Sequence, residues 1–414
     1  MTKLNAIEEK ALSKILPKVS ILPKVEKTLQ ALRKSATELK YVVDIRCGGS
    51  VAKNTYLAGD YDCDVFVRFD KKHIGISKLL LKLLEKAGIK PVLVNGSRDY
   101  FQAKIDGIQY EIVPVLWIND PKQAENVTDM SVFHVDWVLE RTKGNDLSNQ
   151  IRLGKAFCKA NRVYGAESYI GGFSGHVLDI LTIYYGGFRE MLSAATNWPE
   201  KCVIDPMQFY AGKDALSLLN EAKIVSPLII VDPILPSRNA ASALTLEKWR
   251  LFKQAAVAYL GKPSASYFEI KEISAASLAS LGTVITVKAT PLSEKKDVAG
   301  AKLLQAYDFI RNALTENGFT VNGSDWTWKF GADAQFFYAL PSKKIDPSYE
   351  ILGPPIKMTK ACDAFMAARS RVVEKTVGAE KRLVAIETRA FVDADAFISS
   401  LKKNPYLIER VKFA

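Results

Sequence analysis

The sequence predicts an α+β multidomain chain: a sheet-and-helix head, a helical neck, and an α+β body and tail. Three observations predict it. Short alternating apolar runs, separated by turn signals and amphipathic helices, fill roughly the first 120 residues. From Asp120 the apolar spacing changes to threes and fours, as in helices packed on one another. The last third mixes alternating runs with one long helical run. A length of 414 residues fits two to four domains.

The head is organised around Gly49 to Phe69, GSVAKNTYLAGDYDCDVFVRF. Gly49-Ser50 is a small-residue turn where backbone N–H groups can approach a phosphate. Asp62-Cys63-Asp64 runs into an alternating apolar stretch that reads as a strand. Residues two apart on a strand share a face, so Asp62 and Asp64 project together and Cys63, Val65, Val67 and Phe69 form the buried face. Two adjacent carboxylates repel unless a cation joins them, and hard oxygen donors suit Mg²⁺. A phosphate-binding turn beside a Mg²⁺ site implies metal-assisted transfer of a nucleotidyl group. A bare DxD is also how a solvated strand end looks; the Gly-Ser turn and the apolar strand favour the chemical reading.

Taken in order, residues 1–40 read as helical, with Pro23 in a first helical turn and Val25, Leu29, Leu32, Ala36 and Leu39 as one apolar stripe. Tyr41–Cys47 reads as a strand, Ser77–Ala87 as a helix and Pro91–Val94 as a strand. Tyr100–Ile105 and Gln109–Val115 flank Asp106-Gly107, a hairpin signal. Glu111 stands in the middle of that apolar second arm, and a lone buried Glu is costly without a partner. If this strand pairs beside the DxD strand, Glu111 becomes a third carboxylate; otherwise it faces solvent. Pro114 argues for an edge strand.

FHVDWVLERTK and Asn149–Val163 read as helices. On the second, Arg152, Lys155, Lys159 and Arg162 form one basic stripe with no acid in it, suited to phosphates or simply solvated. Ser174 in GGFSG is a plausible N-cap for HVLDILTIYYGG. Asp214–Lys223 reads as helical, Leu228–Val231 as a strand, and Arg238 as lying just before a helix. Further on, Phe268–Ile270, Thr283–Ala289, Thr327–Phe330 and Ala334–Leu340 read as strands. Ala299–Gly318 and Thr359–Arg369 read as helices, and Gly353-Pro354-Pro355 as a hard turn.

A formal net charge of +12 favours a polyanionic partner, nucleic acid first. No apolar run approaches the ~18 residues of a membrane span. The N-terminus carries no signal-peptide pattern, and five widely spaced cysteines without a CxxC pair read as reduced thiols in a cytoplasmic protein. From Pro341 onward, 14 Lys and Arg against 9 Asp and Glu suit an RNA-binding module that reads backbone and shape.

Gly49-Ser50 followed by Asp62-x-Asp64 resembles the nucleotidyltransferase superfamily of DNA polymerase β and poly(A) polymerase. GGSVAKNTYLAGDYDCDVF, YEIVPV, FHVDWVLERTKG, IRLGKAFCKANRVYGAE, GGFSGHVLDIL with YYGGF, and VDPILPSRNAASAL resemble the archaeal, class I CCA-adding tRNA nucleotidyltransferases. The likeness covers about the first 245 residues and is looser beyond. It implies a polymerase β-like head over 1–120, a neck over 121–222, a body of 223–285 plus 381–414 and a tail over 286–380, with Asp62, Asp64 and Glu111 of the head binding catalytic Mg²⁺. It implies that Gly49, Ser50, Lys53, His134, Lys155 and Tyr164 contact the phosphates and ribose of the nucleotide and that Arg238 meets its base. It also implies tRNA, CTP and ATP as partners, and a homodimer. Three residues depart from the family pattern. Glu111 stands where Asp is usual, Lys53 where some relatives have Arg, and His176 where an aromatic often follows GGFSG. A related enzyme making a poly(A) or oligoadenylate tail, or a silent RNA-binding relative, are the competing readings.

Overall fold

The structure, a computed structural model, describes residues 4–96 and 98–413. It divides into two compact units, Met1–Lys271 and Glu272–Ala414. Residues 223–271 thus fall in the first unit and 381–414 in the second, whereas the sequence reading joined them in one body.

In the first unit, α1 (Ala6–Ile15) starts at a capping box in which Asn5 and Glu8 exchange hydrogen bonds. Pro23 lies in the first turn of α2 (Leu22–Ala36), whose stripe Val25, Leu29, Leu32 and Ala36 is buried. β1 (Val42–Cys47) leads into α3 (Gly49–Ala52), a single helical turn at the expected Gly-Ser turn. β2 (Asp62–Phe69), α4 (Ile76–Lys86), β3 (Val92–Val94), β4 (Tyr100–Ile105) and β5 (Ile108–Leu116) complete the head. The sheet order is β1-β2-β5-β4-β3, with β2 and β5 parallel and the other pairs antiparallel. Cys63, Val65, Val67 and Phe69 are fully buried on the core face, against Leu29 and Leu32 of α2 and Leu80, Leu83 and Leu84 of α4. The β4–β5 hairpin turns at Asp106 and Gly107, both with positive φ, 50° and 84°.

The edge position inferred from Pro114 is wrong, because β5 is the central strand. Its pairing with β4 stops at Ile112 opposite Phe101, so at Pro114 only β2 remains alongside. The missing N–H therefore costs no ladder bond on the β4 side. The Pro114 carbonyl instead accepts a hydrogen bond from Arg98, 3.3 Å away.

Behind the head come α5 (Ser131–Thr142), α6 (Leu147–Ala160), α7 (Gly175–Tyr185) and α8 (Phe188–Thr196). Ser174 caps α7, accepting from the Val177 N–H at 3.1 Å. β6 (Cys202–Ile204) pairs in parallel with β7 (Leu228–Ile230). Between them α9 (Ala215–Leu218) is shorter than the expected helix, because Asn220 caps a separate 3₁₀ turn at Glu221–Lys223. α10 (Leu246–Gly261) packs on α8. The expected strand Phe268–Ile270 is instead a 3₁₀ turn, Ala265–Phe268, which inserts Phe268 among Phe157, Phe188 and Tyr259.

The second unit contains α11 (Ala275–Leu278), β8 (Thr283–Pro291), α12 (Lys296–Glu316), β9 (Gly323–Thr327), β10 (Ala334–Leu340), β11 (Ser348–Pro355), α13 (Thr359–Ala367), β12 (Val372–Val377), β13 (Glu380–Thr388), α14 (Ala394–Leu401), α15 (Pro405–Ile408) and β14 (Val411–Phe413). They build sheets of order β14-β8-β10-β9 and β11-β13-β12. The strand expected at Thr327–Phe330 is displaced toward the N-terminus, where Trp326 pairs across from Phe336. Gly353-Pro354-Pro355 is the end of an edge strand, not a turn, so its prolines meet no second neighbour. A methyl at Gly353 would come within 2.7 Å of the Phe365 ring.

The five cysteines are free thiols, and the sulfurs of Cys47 and Cys63 lie 3.8 Å apart on β1 and β2. No helix among the described residues is long and apolar enough to cross a membrane. Phe157 is fully buried and touches the rings of Phe188, Phe252, Tyr259, Tyr267 and Phe268. Phe157→Ala is expected to destabilise the first unit by about 3–5 kcal/mol, read as an earlier urea transition in the full chain.

Candidate active site

The parallel register of β2 and β5 sets Asp64 opposite Glu111 and Asp62 opposite Gln109. Strand alternation leaves Asp62 exposed and Asp64 partly buried, and Glu111 accepts a hydrogen bond from Gln102 Nε2 at 2.8 Å. The Gly48 N–H donates to the Asp64 carbonyl at 2.7 Å. Gly49 has φ +57°, and a methyl there would lie 1.7 Å from Asp64 Oδ2. Glycine is thus required twice at this position, by the left-handed backbone and by the carboxylate against it. Burial and the neighbouring Glu111, with a further push from Asp62, raise the Asp64 carboxyl to about 7, while Lys53 opposes them. Carboxylates carried on two paired strands offer only oxygen donors, the composition of a site for a hard divalent cation.

Lys53 follows the single turn of α3 and is buried. Its Nζ is 2.8 Å from Asp179 Oδ2, and Lys155 Nζ is 3.2 Å from Asp179 Oδ1. Lys155 also donates to Thr55 Oγ1 at 2.7 Å. Burial alone would raise the Asp179 carboxyl, but Lys155 and Lys53 outweigh it and hold it at about 2. Burial pushes the Lys155 ammonium down. Tyr164 comes to the same place: a methyl at Gly175 would sit 3.0 Å from the Tyr164 hydroxyl and 3.7 Å from Lys155 Cε. Burial, with Asp60 and Asp179 nearby, raises the Tyr164 phenol.

The basic stripe of α6 is neither a solvated face nor free of acids. Arg152 and Lys155 are buried against the 54–60 segment. There Arg152 donates to the Tyr56 carbonyl at 3.1 Å and to Asn54 Oδ1 at 2.7 Å, and Lys159 pairs with Asp60 at 2.6 Å. Arg162 lies past the end of the helix, with φ 60°.

His134, on α5, places Nε2 2.9 and 3.0 Å from the two oxygens of Asp232. Arg238 Nη1 is 2.5 Å from Asp232 Oδ2. Asp232 is fully buried, and its Oδ1 also accepts the backbone N–H groups of Ile234 and Leu235 at 2.9 and 3.1 Å. Arg238 thus sits in a loop folded around Asp232, eight positions before α10, not at a helix start. The His134 and His176 rings are 4.3 Å apart. Burial, then Lys53 and His134, hold the His176 imidazole well below its usual range, hence neutral.

The expected residues therefore form two linked groups. Asp62, Asp64 and Glu111 sit on the sheet beside Gly49 and Ser50, while Lys53, Lys155, Tyr164, His134 and Arg238 line the helical side. Asp179 and Asp232, which join the second group, were missed. A signal for Asp179 existed, since it is the one acid in the apolar run HVLDILTIYY, the argument already applied to Glu111.

Residues 27–128 match the family model of the nucleotidyltransferase domain, and residues 149–269 match that of the tRNA nucleotidyltransferase second domain. The chain is 33% identical over 406 residues to a CCA-adding enzyme of Nanoarchaeum equitans, covering 96% of each chain. It is 30% identical to one of Saccharolobus shibatae, over 98% of this chain and 93% of that one. Among solved structures, the Cid1 poly(U) polymerase with Mg 3′-dATP bound superposes with a TM-score of 0.52 over 64% of this chain and 98% of that one, at 13% identity. That last likeness speaks for a polymerase β-like fold.

Asp179→Asn would leave two buried ammonium groups facing a neutral amide. A loss of about 3–5 kcal/mol is expected, read as a lower melting temperature at neutral pH. The Asp179 carboxyl titrates lower folded than unfolded, so its contribution is full above about pH 4 and is lost as pH falls toward 2. The variant should therefore show a flatter loss of stability over that interval.

Proposed function

The chain belongs to the CCA-adding enzymes, which it matches along nearly its whole length, and from that premise we propose how its own residues add C, C and A to the 3′ end of tRNA from CTP and ATP. The observation that carries the reading is the β2–β5 register, which sets Asp64 opposite Glu111 with Asp62 on the same face. Asp62, Asp64 and Glu111 would hold Mg²⁺, which when bound supplies Lewis-acid activation of the attacking 3′-hydroxyl and stabilises charge on the departing pyrophosphate.

The other residues bind and orient. Lys53 and Lys155 bring two positive charges to one buried carboxylate, so the cluster keeps a net positive charge for a triphosphate. Tyr164 stands beside Lys155 as a hydroxyl donor kept protonated by burial. Asp232 holds His134 and Arg238 on its two sides, orienting an imidazole for the phosphates and a guanidinium for the base. Gly49 lets the turn carrying Ser50 lie against Asp64, which brings phosphate contacts and acids to one place. Residues 1–120 would act as the catalytic head and 121–222 as the nucleotide-binding neck. The second unit would hold the tRNA, and two chains would form the active homodimer.

The test is transfer of labelled CTP and ATP, with Mg²⁺, onto tRNA lacking its last three residues. Addition of C, C and A followed by arrest is expected, and open-ended A addition or no transfer would overturn the reading. Replacing Asp62 and Asp64 together by Ala should lower transfer by about 10³-fold or more while tRNA binding persists.

A further inference from the structure

This chain has three histidines, and two of them meet at one point. A ligand atom from each of His134, His176 and Asp232 lies within 4.8 Å of the others. Both ring nitrogens of His176 are buried and without a hydrogen-bond partner. Buried polar atoms of this kind nearly always have a partner, so two on one ring require an explanation. Asp232 is held rigidly by the Ile234 and Leu235 N–H groups and by Arg238, the arrangement that orients a carboxylate ligand from behind.

We infer that His134, His176 and Asp232 form a binding site for a borderline divalent ion of the zinc class, distinct from the all-oxygen acids of the sheet. Two imidazoles and one carboxylate are the donors such an ion selects, and Mg²⁺ does not. Donors around tetrahedral zinc stand about 3.3 Å apart, so the side chains need to close by about 1.5 Å at most. His134 Nε2 already lies 2.9 Å from Asp232 Oδ1. Three protein ligands leave a fourth position open to water or a phosphate oxygen. Arg238 and Lys53 face the same cluster as cations and weaken its hold on any positive ion. Because His134 belongs to the proposed nucleotide site, zinc bound here and a nucleotide compete for it.

The experiment measures Zn²⁺ binding to the full chain by competition with a chromophoric chelator, without nucleotide, so its outcome is separate from that of the transfer assay. The background is the Asp62→Ala, Asp64→Ala double variant, which removes two of the sheet acids. In that background, adding His176→Phe or His176→Gln should weaken zinc binding about a hundredfold, with the far-ultraviolet circular dichroism unchanged. The amide variant keeps the site polar and guards against a packing defect in the Phe variant. The Cys47–Cys63 thiol pair can also take zinc, so dependence on His176, not stoichiometry, decides the matter. Absence of zinc binding in the double variant, or binding that both His176 variants leave unchanged, would overturn the inference.

Discussion

One buried carboxylate ties the acid-bearing sheet to the helices behind it. Asp179 receives Lys53 from the turn beneath the acids and Lys155 from α6, all three buried. Taking three charges out of water is tolerable because each ammonium meets a carboxylate oxygen and Thr55 satisfies more of Lys155. The rest of the site inherits its placement from this tie. Lys53 is close enough to Asp64 to oppose the rise of its carboxyl. His176 lies three residues before Asp179, on the same face of α7, and so arrives beside His134.

Much of the head could be read from the sequence because its signals are local. The alternation after Asp62, the Asp106-Gly107 turn and the cap at Ser174 each depend on a few neighbouring residues, and each holds in the structure. Pro114 misled because edge and centre differ only in what lies alongside, and β4 happens to end before reaching it. The stripe on α6 misled for the same reason: its acids, Asp60 and Asp179, come from other elements. Arg238 and Asp232 could not be read as partners, since a loop with no period brings them together. Phe268 had strand-like neighbours, but its ring filled an aromatic cluster instead.

The site thus brings two kinds of donor to neighbouring places. The sheet offers carboxylate oxygens, hard and mutually repelling, beside a turn with no side chain in the way. The helices offer nitrogen, cationic where Asp179 and Asp232 compensate it and neutral where His176 is buried. A nucleoside triphosphate with its metal has complementary parts for both.

The parallel pairing of β2 and β5 has a consequence for how the molecule reaches its native state. Parallel neighbours cannot be joined by a tight turn, and here α4 and the β3–β4 strands intervene. Asp64 and Glu111 therefore meet only after a long loop has closed, at an entropic cost that their mutual repulsion does nothing to offset. What draws them together is the apolar face on the other side of the same strands, Val65 and Val67 with Ile112. The acids are thus held as neighbours by the packing of the core face, at a site whose long-range pairing is of the kind that slows folding.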